Sequence, residues 1–377
     1  MATTAQYLNK LVEQKNTLAD NLVAKGVTAT HDETLETLVP KVLDITSGSG
    51  NGIYPVDETG LPTGDVVVPD NVTNLSTSVF QNNKNITSVT LPNTLTAISN
   101  NAFQNCSNLQ TINIPNNITK IPQFCFSGDS NLQKINIPAK VTEISQNCFE
   151  SCKNLSQVTV ADGASYSIGN YAFQGSSLLT DTDVTFILGH VNPDKTLGNS
   201  IFQKCTNLTN LTIKYLGGSM MFRECSNLKY VKVLSVLSSK EIAGNIFFNC
   251  TKLETCYLPE GITLIGVNVF SGCSSLKTVY LPSSINRTTN NSLSVTGYYI
   301  FNGCSALEDV QLGQNWNMSL DLSVSNNLTV ESMIAMFNNL KDLTDETAKT
   351  LTLGETNLTK LTDEQKAIAT NKNWTLA

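Results

Sequence analysis

The sequence predicts an α/β repeat solenoid whose coils stack through a parallel β-sheet. Phenylalanine recurs at intervals of 20 to 31 residues, the first three of them 23 residues each, at Phe80, Phe103, Phe126, Phe149, Phe173, Phe202, Phe222, Phe247, Phe270 and Phe301. Between these positions, apolar residues follow an L-x-x-I-x-I spacing that ends at a proline. One such coil cannot bury its own apolar side, so the pattern predicts cooperative stacking of neighbouring coils.

The unit that begins at Phe103 shows the physical basis of the pattern most clearly. Ile112 and Ile114 are two positions apart and therefore point to the same side of a strand, while Thr111 and Asn113 alternate with them and face outward. Pro115 ends the strand because it has no N–H to donate to a further ladder position. The chain then returns around the core through Ile118, Ile121 and Phe126.

About ten successive units between residues 65 and 322 resemble the BspA-like (treponemal-type) leucine-rich repeat, F-x-x-C-x-x-L-x-x-I-x-I-P-x-x-[IV]-x-x-I-x-x-x-x-F. The resemblance implies a leucine-rich-repeat horseshoe with the parallel sheet on its concave face. The units from Phe173 and Phe270 depart from the pattern through insertions at 186–201 and 283–299, and the unit from Phe202 is short.

The residues outside the repeats predict three further segments. Residues 1–46 form a small helical attachment module, 47–64 a linker that contains Gly and Ser, and 323–377 a C-terminal α+β cap. Helical spacing in the first segment predicts an apolar assembly seam at Leu8, Leu11, Val12, Leu18 and Leu22. A module this small has little core of its own, so it either docks on a partner or folds onto the solenoid as a cap.

The C-terminal segment breaks the phenylalanine spacing. The sequence predicts a helix over Val330–Leu340, a strand at Lys349–Leu353, a helix opened by the capping box Thr362–Gln365 and a last strand at Asn373–Leu376. Terminal repeats must cover an exposed core edge, and Trp374 is the residue expected to fill it.

Both ends of the chain resemble the ends of tail-fibre and receptor-binding proteins of phages and prophages of gut Firmicutes: AQYLNKLVEQKNTLADNLVAKGVTATHDETLETLVPKVLDI at the start and NLTKLTDEQKAIATNKNWTLA at the end. The resemblance implies a virion location in the phage tail, contact with other tail proteins through the N-terminal module, and a homo-oligomer, a trimer as in tail fibres. The start MATTAQYLNK lacks the basic and apolar regions of a secretory signal. We therefore favour this interpretation over its alternative, a secreted leucine-rich-repeat adhesin at the bacterial cell surface.

Charge and hydropathy exclude two classes of partner. The net charge is −7 and charged residues make up only 15% of the chain, so nucleic acid and anionic membrane surfaces, which need clustered Lys and Arg, are not expected. No apolar stretch approaches the length of about 18 residues that a membrane span requires, so membrane insertion is not expected.

The sequence offers little material for catalysis or for a cofactor. Its two histidines, His31 and His190, have no second histidine nearby, and no nucleophile elbow, zinc-protease motif or phosphate-binding glycine loop is present. Asp181 and Asp183 are interpreted as solvated, with a calcium site as the alternative. We therefore expect no enzyme, no cofactor and no metal, although a glycan hydrolase with paired carboxylates in a cleft stays a rival hypothesis.

Seven cysteines fall three residues after a marked phenylalanine: Cys106, Cys152, Cys205, Cys225, Cys250, Cys273 and Cys304. The favoured interpretation is a column of buried free thiols stacked along the solenoid. Disulfides or a metal site between neighbouring members are the alternatives.

The outward positions of the predicted strands form the candidate binding surface, with Tyr230, Lys232, Tyr257, Tyr280, Asp309 and Gln311 in its second half. Tyr257 and Tyr280 occupy the same position in successive coils, so their rings are expected to stack side by side. Tyrosine combines a flat apolar face with a hydroxyl rim, which suits sugar rings or a protein partner. The alternative is aromatic pairing that only stabilises the sheet.

The insertion at 283–299 is the second candidate, because loops on rigid scaffolds commonly carry function. It contains Arg287, Tyr298 and Tyr299. The sequence thus predicts a non-catalytic receptor-binding or adhesion protein that recognises a glycan or protein on a bacterial host surface.

Overall fold

The computed structural model of the protein describes residues 61–195, 197–288 and 300–377, together with positions 15, 16, 19 and 30. The chain divides into two compact units. The first, unit 1, comprises Met1–Leu155 and Thr159–Ala164, and the second, unit 2, comprises Ser156–Val158 and Ser165–Ala377. Lys15, Asn16 and Ala19 are helical, as the N-terminal pattern predicts. The predicted seam residues Leu8, Leu11, Val12, Leu18 and Leu22 lie outside the described residues.

Short strands recur in unit 1 once or twice in each coil. They are β1 (Gly64–Val67), β2 (Asn74–Leu75), β3 (Ile86–Thr90), β4 (Ala97–Ile98), β5 (Thr111–Ile112), β6 (Lys120–Ile121), β7 (Lys134–Ile137) and β8 (Glu143–Ile144). Strand β9 (Gln157–Val160) contains the division between the units. Within unit 1, β1, β3 and β5 pair in parallel, as do β2 with β4 and β6 with β8.

Over its described residues, unit 2 continues the same alternation and adds four helices with defined bounds. Its strands are β10 (Ser167–Ile168), β11 (Asn210–Ile213), β12 (Tyr230–Val233), β13 (Glu241–Ile242), β14 (Thr255–Tyr257), β15 (Leu264–Ile265), β16 (Thr278–Leu281), β17 (Arg287–Thr288), β18 (Asp309–Leu312), β19 (Leu320–Asp321), β20 (Lys349–Thr352) and β21 (Trp374–Leu376). The helices are α1 (Asp181–Gly189), α2 (Val330–Asn339), α3 (Glu355–Leu358) and α4 (Asp363–Thr370). Among the described helices, none has the combination of length and apolarity needed to cross a bilayer.

Three parallel sheets organise unit 2. The longest has the order β11-β12-β14-β16-β18, the second runs β13-β15-β17, and the third is β19-β20-β21. From β12 to β18, alternate strands in sequence belong to the first sheet and to the second, because each of these coils contributes one strand to each sheet. The predicted repeat solenoid with parallel strands is confirmed.

The marked phenylalanines form continuous ring stacks inside each unit. In unit 1, Phe80, Phe103, Phe126 and Phe149 stack with centroids 5.3 to 5.5 Å apart. In unit 2, successive rings from Phe173 to Phe301 lie 5.5 to 5.9 Å apart with planes within 16° of parallel. Each ring is buried, so the stack is the spine of the core that the spacing predicted.

A backbone ladder accompanies the rings. The N–H of most of these phenylalanines donates to a carbonyl one coil further on, as Phe80 does to Ala102 at 2.8 Å and Phe247 does to Val269 at 2.9 Å. The residues two positions before and after the ring have positive φ, for example Asn101 at 60° and Asn105 at 60° around Phe103. Asn and Gly tolerate this left-handed conformation best, which explains their frequency beside the phenylalanines.

The cysteine column is buried and its thiols are unbridged. Each Sγ donates to the carbonyl oxygen of the phenylalanine one coil earlier, at 3.0 Å from Cys106 to Phe80 and 3.1 Å from Cys250 to Phe222. Burial in an apolar interior raises the pKa of these thiols, which keeps them protonated as hydrogen-bond donors. The interpretation as buried, free side chains is confirmed.

The C-terminal segment follows its predicted order. Helix α2 begins after Thr329, strand β20 follows, and the capping box at Thr362 opens α4. Trp374 is 2% exposed, and its indole Nε1 donates to the carbonyl of Lys341 at 2.9 Å. Trp374 therefore fills the end of the core, as expected.

Candidate binding surface

The sheet β11-β12-β14-β16-β18 positions the candidate residues by strict register. Tyr230 pairs with Thr255, and Lys232 pairs with Tyr257, which in turn pairs with Tyr280. Residues between them, such as Val231 and Cys256, point into the core and are buried. The alternation of strand side chains thus places the tyrosines and Lys232 together on the outward face. The predicted equivalence of Tyr257 and Tyr280 is confirmed.

The tyrosine rings do not stack as the register suggested. Tyr257 contacts Tyr230 diagonally across the strands, with centroids 6.1 Å apart and planes inclined by 57°. Tyr280 instead directs its hydroxyl to Glu260, to which it donates a hydrogen bond of 2.5 Å. Burial of the ring edge, together with this hydrogen bond and the charge of Glu260, raises the pKa of Tyr280 to about 12.

These side chains line an open depression of about 610 Å³. We call it the tyrosine face and define it by Tyr230, Lys232, Tyr257, Tyr280 and Glu260. Its remaining lining comes from the residues Val233, Leu234, Leu258 and Pro259. Leu234 is 56% exposed, so the depression has an apolar rim as well as a polar one.

Three polar groups on the tyrosine face have no hydrogen-bond or ion-pair partner among the described residues. They are the ammonium of Lys232 and the hydroxyls of Tyr230 and Tyr257. Lys232 is exposed, and both tyrosines are half-buried. The surface therefore presents one free cation and two free hydroxyls beside two accessible ring faces, which is the arrangement a polar ligand with an apolar side can use.

Glu260 is the residue of the tyrosine face that the sequence pattern did not predict. It lies directly after Pro259, the proline that ends the strand in this coil, and its partner Tyr280 is 20 residues away. The proline at the end of β14 indicates a turn beside the strand face, but only the coil geometry brings the Glu260 carboxylate to Tyr280.

Asp309 and Gln311 lie outside the depression. They belong to β18, where they pair with Thr278 and Tyr280. The side-chain amide of Gln311 donates to Asp309 at 2.6 Å, so the two residues satisfy each other. The structure thus brings together four of the six predicted surface residues and places these two one strand away.

The second candidate, the insertion at 283–299, is described only in part. The backbone of Arg287 belongs to β17 and pairs with Leu264, in a different sheet from the tyrosine face. The side chain of Arg287 and the whole of Tyr298 and Tyr299 lie outside the described residues.

The interpretation of Asp181 and Asp183 as solvated is wrong. Asp181 accepts hydrogen bonds from the backbone N–H of Thr209 and of Asn210, at 2.8 and 2.9 Å, and from the Thr209 hydroxyl at 2.7 Å. Asp183 is buried and accepts from the N–H of Val158 at 2.7 Å. Helix α1 occupies the place of a strand, and its carboxylates accept the hydrogen bonds that the carbonyls of a neighbouring strand would take.

Because the carboxylates of Asp181 and Asp183 accept these hydrogen bonds, the structure does not support the alternative interpretation of a calcium site at these two residues. Over the described residues, no cluster of three or more His, Cys, Asp or Glu side chains is arranged to hold a metal ion.

The repeat geometry corresponds to a known family. Six copies of the BspA type leucine-rich repeat region match residues 61–180 and 195–296. The chain belongs to this family. No curated protein matches the sequence.

Solved structures that are similar to this chain come from several bacteria. This BspA-type protein is similar to a leucine-rich repeat protein from Bacteroides ovatus, with 22% identity, 79% of this chain and 82% of that chain covered, and a TM-score of 0.47. A leucine-rich cell surface protein from Faecalibacterium prausnitzii is 20% identical over 70% of this chain and 93% of its own, with a TM-score of 0.30. The pneumococcal vaccine antigen PcpA is 15% identical, with 87% and 91% covered and a TM-score of 0.37.

Proposed function

We propose that this BspA-type repeat protein is a non-catalytic receptor-binding or adhesion protein that contacts a glycan or protein on a bacterial surface through the tyrosine face. The observation that carries the proposal is the set of unpaired polar groups around accessible tyrosine rings. Polar atoms without internal partners gain most from a ligand, since their hydrogen bonds are otherwise made only with water.

The setting we propose is a phage or prophage tail fibre or tail tip, on the strength of the resemblance at both ends of the chain. The N-terminal module would then attach the protein to the particle, and a trimer would present three copies of the tyrosine face. The alternative setting is the bacterial cell surface, where the same face would serve an adhesin.

Binding of the purified full chain to intact gut bacteria tests the adhesive function. Tyr257→Ala is expected to lower the bound fraction by about tenfold or more, because truncation of a central aromatic contact is among the costliest changes at an interface. Lys134→Ala is the matched control, since Lys134 is an exposed outward residue of strand β7 in unit 1. Equal adhesion of both variants and the parent chain would remove the tyrosine face from the mechanism, and adhesion to no strain would overturn the function.

Antibody labelling separates the two settings. Label on tail tips of particles induced from a host strain supports the phage tail, whereas label confined to washed cells supports the surface adhesin.

A further inference from the structure

We propose that the tyrosine face is selective for an acidic saccharide that contains a uronic acid, with the carboxylate at Lys232 and sugar rings across Tyr257 toward Glu260. This inference rests on the proposed binding function and narrows it to one chemical class of ligand.

The length and chemistry of the surface fit a short oligosaccharide. Lys232, Tyr257 and Tyr280 occupy one register position on three adjacent strands, so they span two strand spacings, about 10 Å. This is the length of a disaccharide. A sugar ring offers C–H groups to the half-buried rings and hydroxyls to the free phenolic oxygens of Tyr230 and Tyr257.

Lys232 supplies the preference for an acid. Its ammonium is exposed, has no carboxylate partner among the described residues, and lies in the same depression as the rings of Tyr230 and Tyr257. An ammonium with no partner beside an aromatic platform is satisfied best by a ligand carboxylate, since charge-assisted hydrogen bonds are about twice as strong as neutral ones.

Glu260 sets the orientation of the ligand. The Tyr280 hydroxyl holds one oxygen of this carboxylate, which leaves the other oxygen to accept from sugar hydroxyls. A ligand carboxylate would be repelled at this end and attracted at the Lys232 end. The depression therefore has a cationic end for the acid group and an anionic end for hydroxyl donors.

A peptide fits this surface less well. The tyrosine face lies on the interior strands β12, β14 and β16, so no free strand edge is available there for main-chain pairing with an extended peptide. Protein hot spots also favour deep, fully desolvated pockets, whereas this depression is open and its tyrosines are half-exposed.

Calorimetric titration of the full chain tests the ligand class. The probes are trigalacturonate, a mannuronate trimer, a hyaluronan tetrasaccharide and, as the neutral match, methyl-esterified trigalacturonate. We expect at least one acidic probe to bind. We also expect its neutral match to bind about three- to tenfold more weakly, and the affinity for the acid to fall with added salt because Lys232 is exposed.

Two variants and one control assign the contacts. Lys232→Gln is expected to lower the affinity for the acidic probe to that of its neutral match while leaving the neutral affinity unchanged. Tyr257→Ala is expected to abolish both, and Lys134→Ala to change neither. Circular dichroism of each variant checks that the fold is retained.

The outcomes separate this inference from the proposed function. If bacteria are bound through Tyr257 but no acidic probe binds, or if Lys232→Gln binds acid and ester as the parent does, the acidic class is overturned and adhesion stands. The acidic class is also overturned if adhesion survives periodate oxidation of the cells but not protease treatment. If neither cells nor saccharides are bound, both proposals fall.

Discussion

The outward strand faces of the two units share one backbone arrangement but differ in whether their polar side chains are hydrogen-bonded within the protein. In unit 1, several polar side chains on this face bind one another: Ser88 donates to Asp65 at 2.6 Å, and Thr159 donates to Asn136 at 3.0 Å. In unit 2, Tyr257 and Lys232 leave their polar atoms unpaired among the described residues. The comparison teaches that a self-satisfied face stabilises the solenoid, whereas an unsatisfied one is available to a ligand.

Asn113 shows how far the face of unit 1 is used internally. Strand β5 ends at Ile112, and the side chain of Asn113 then takes over the ladder. Its Nδ2 donates to the carbonyl of Leu91 at 2.9 Å, while its Oδ1 accepts from the N–H of Leu91 at 2.8 Å. The side-chain amide thus replaces a peptide group of the neighbouring strand.

The largest effect is therefore expected from Asn113→Ala, which leaves both polar groups of the Leu91 backbone without this partner. We expect the free energy of unfolding to fall by about 2–3 kcal/mol. Amide hydrogen exchange should rise across β3, which can be followed by mass spectrometry of the peptides that cover Ile86–Thr90. Asn136→Ala, which loses one side-chain hydrogen bond, is the matched control, and its free energy of unfolding should fall by about 1 kcal/mol or less. Equal losses in the two variants would contradict the account of Asn113.

The interiors of the two units differ as well. In unit 2 the column from Cys205 to Cys304 consists of cysteines, whereas in unit 1 Asp129 replaces one of them. Its Oδ1 accepts from the N–H of Cys106 at 2.7 Å, but its Oδ2 is buried and has no hydrogen-bond partner. Burial raises the pKa of Asp129 well above its usual value, which favours the protonated form in the folded chain.

The second prediction follows from this raised pKa. A group whose pKa is higher in the folded state contributes stability below its unfolded pKa, about 3.9, and loses that contribution as pH rises through the folded value. In Asp129→Asn the side chain stays neutral at every pH. The free energy of unfolding of this variant, measured in urea and compared with that of the parent chain, should therefore be about 1–3 kcal/mol more favourable at pH 7.5 than at pH 4. Asp162→Asn, at an exposed position of unit 1, is the control. A gain that is the same at both pH values would exclude titration of Asp129 as the cause.

The repeat lattice was predictable because it depends on spacing alone. The intervals between phenylalanines place Phe103 over Phe126, and the L-x-x-I-x-I pattern fixes which of Tyr257 and Cys256 faces outward. The positive φ of Phe124 and Tyr171 was not predictable, since bulky residues carry no signal for a left-handed conformation. There the stacked neighbours impose the backbone.

Helix α1 was missed although a local signal for it exists. Thr180 and Asp183 form a capping box, a sequence pattern that opens a helix. Helix α2 begins in the same way: Thr329 accepts from the N–H of Ser332, and the Ser332 hydroxyl accepts from the N–H of Val310 at 2.9 Å. In both helices, a side chain of the first turn accepts the hydrogen bond that a strand carbonyl would otherwise accept. This substitution depends on the position of the adjacent coil, so the sequence alone cannot predict it.

The candidate site was predictable to the same extent. Register gave Tyr230, Lys232 and Tyr257 their common face, whereas the ring contacts depend on rotamers that spacing does not determine. The contribution of Glu260 depends on the turn after β14, where a one-residue change in loop length would move the carboxylate away from Tyr280.

The third prediction concerns the face of unit 2 itself. Tyr257→Ala should lower the free energy of unfolding by only about 1 kcal/mol, because its ring is half-exposed and its hydroxyl has no internal partner. The same variant should lose adhesion. At Tyr257 the expected effect on binding is therefore large and the effect on stability small, whereas at Asn113 the main effect is on stability. Thermal unfolding and cell binding on one preparation provide the measurement. A loss of stability as large as that of Asn113→Ala would show that this face also serves mainly to hold the sheet.

The smallest expected effect concerns the contact between the rings of Tyr230 and Tyr257, and its measurement shows how much this contact contributes to stability and to binding. Tyr230 and Tyr257 meet at 6.1 Å and 57°, a tilted geometry in which the edge of one ring faces the other. A double-mutant cycle with Tyr230→Ala and Tyr257→Ala should give a coupling of about 0.5 kcal/mol in stability, typical of a half-exposed cross-strand pair. The coupling in binding should be larger if both rings hold one ligand. A coupling in stability that exceeds the coupling in binding would instead identify the pair as a device that stabilises the sheet.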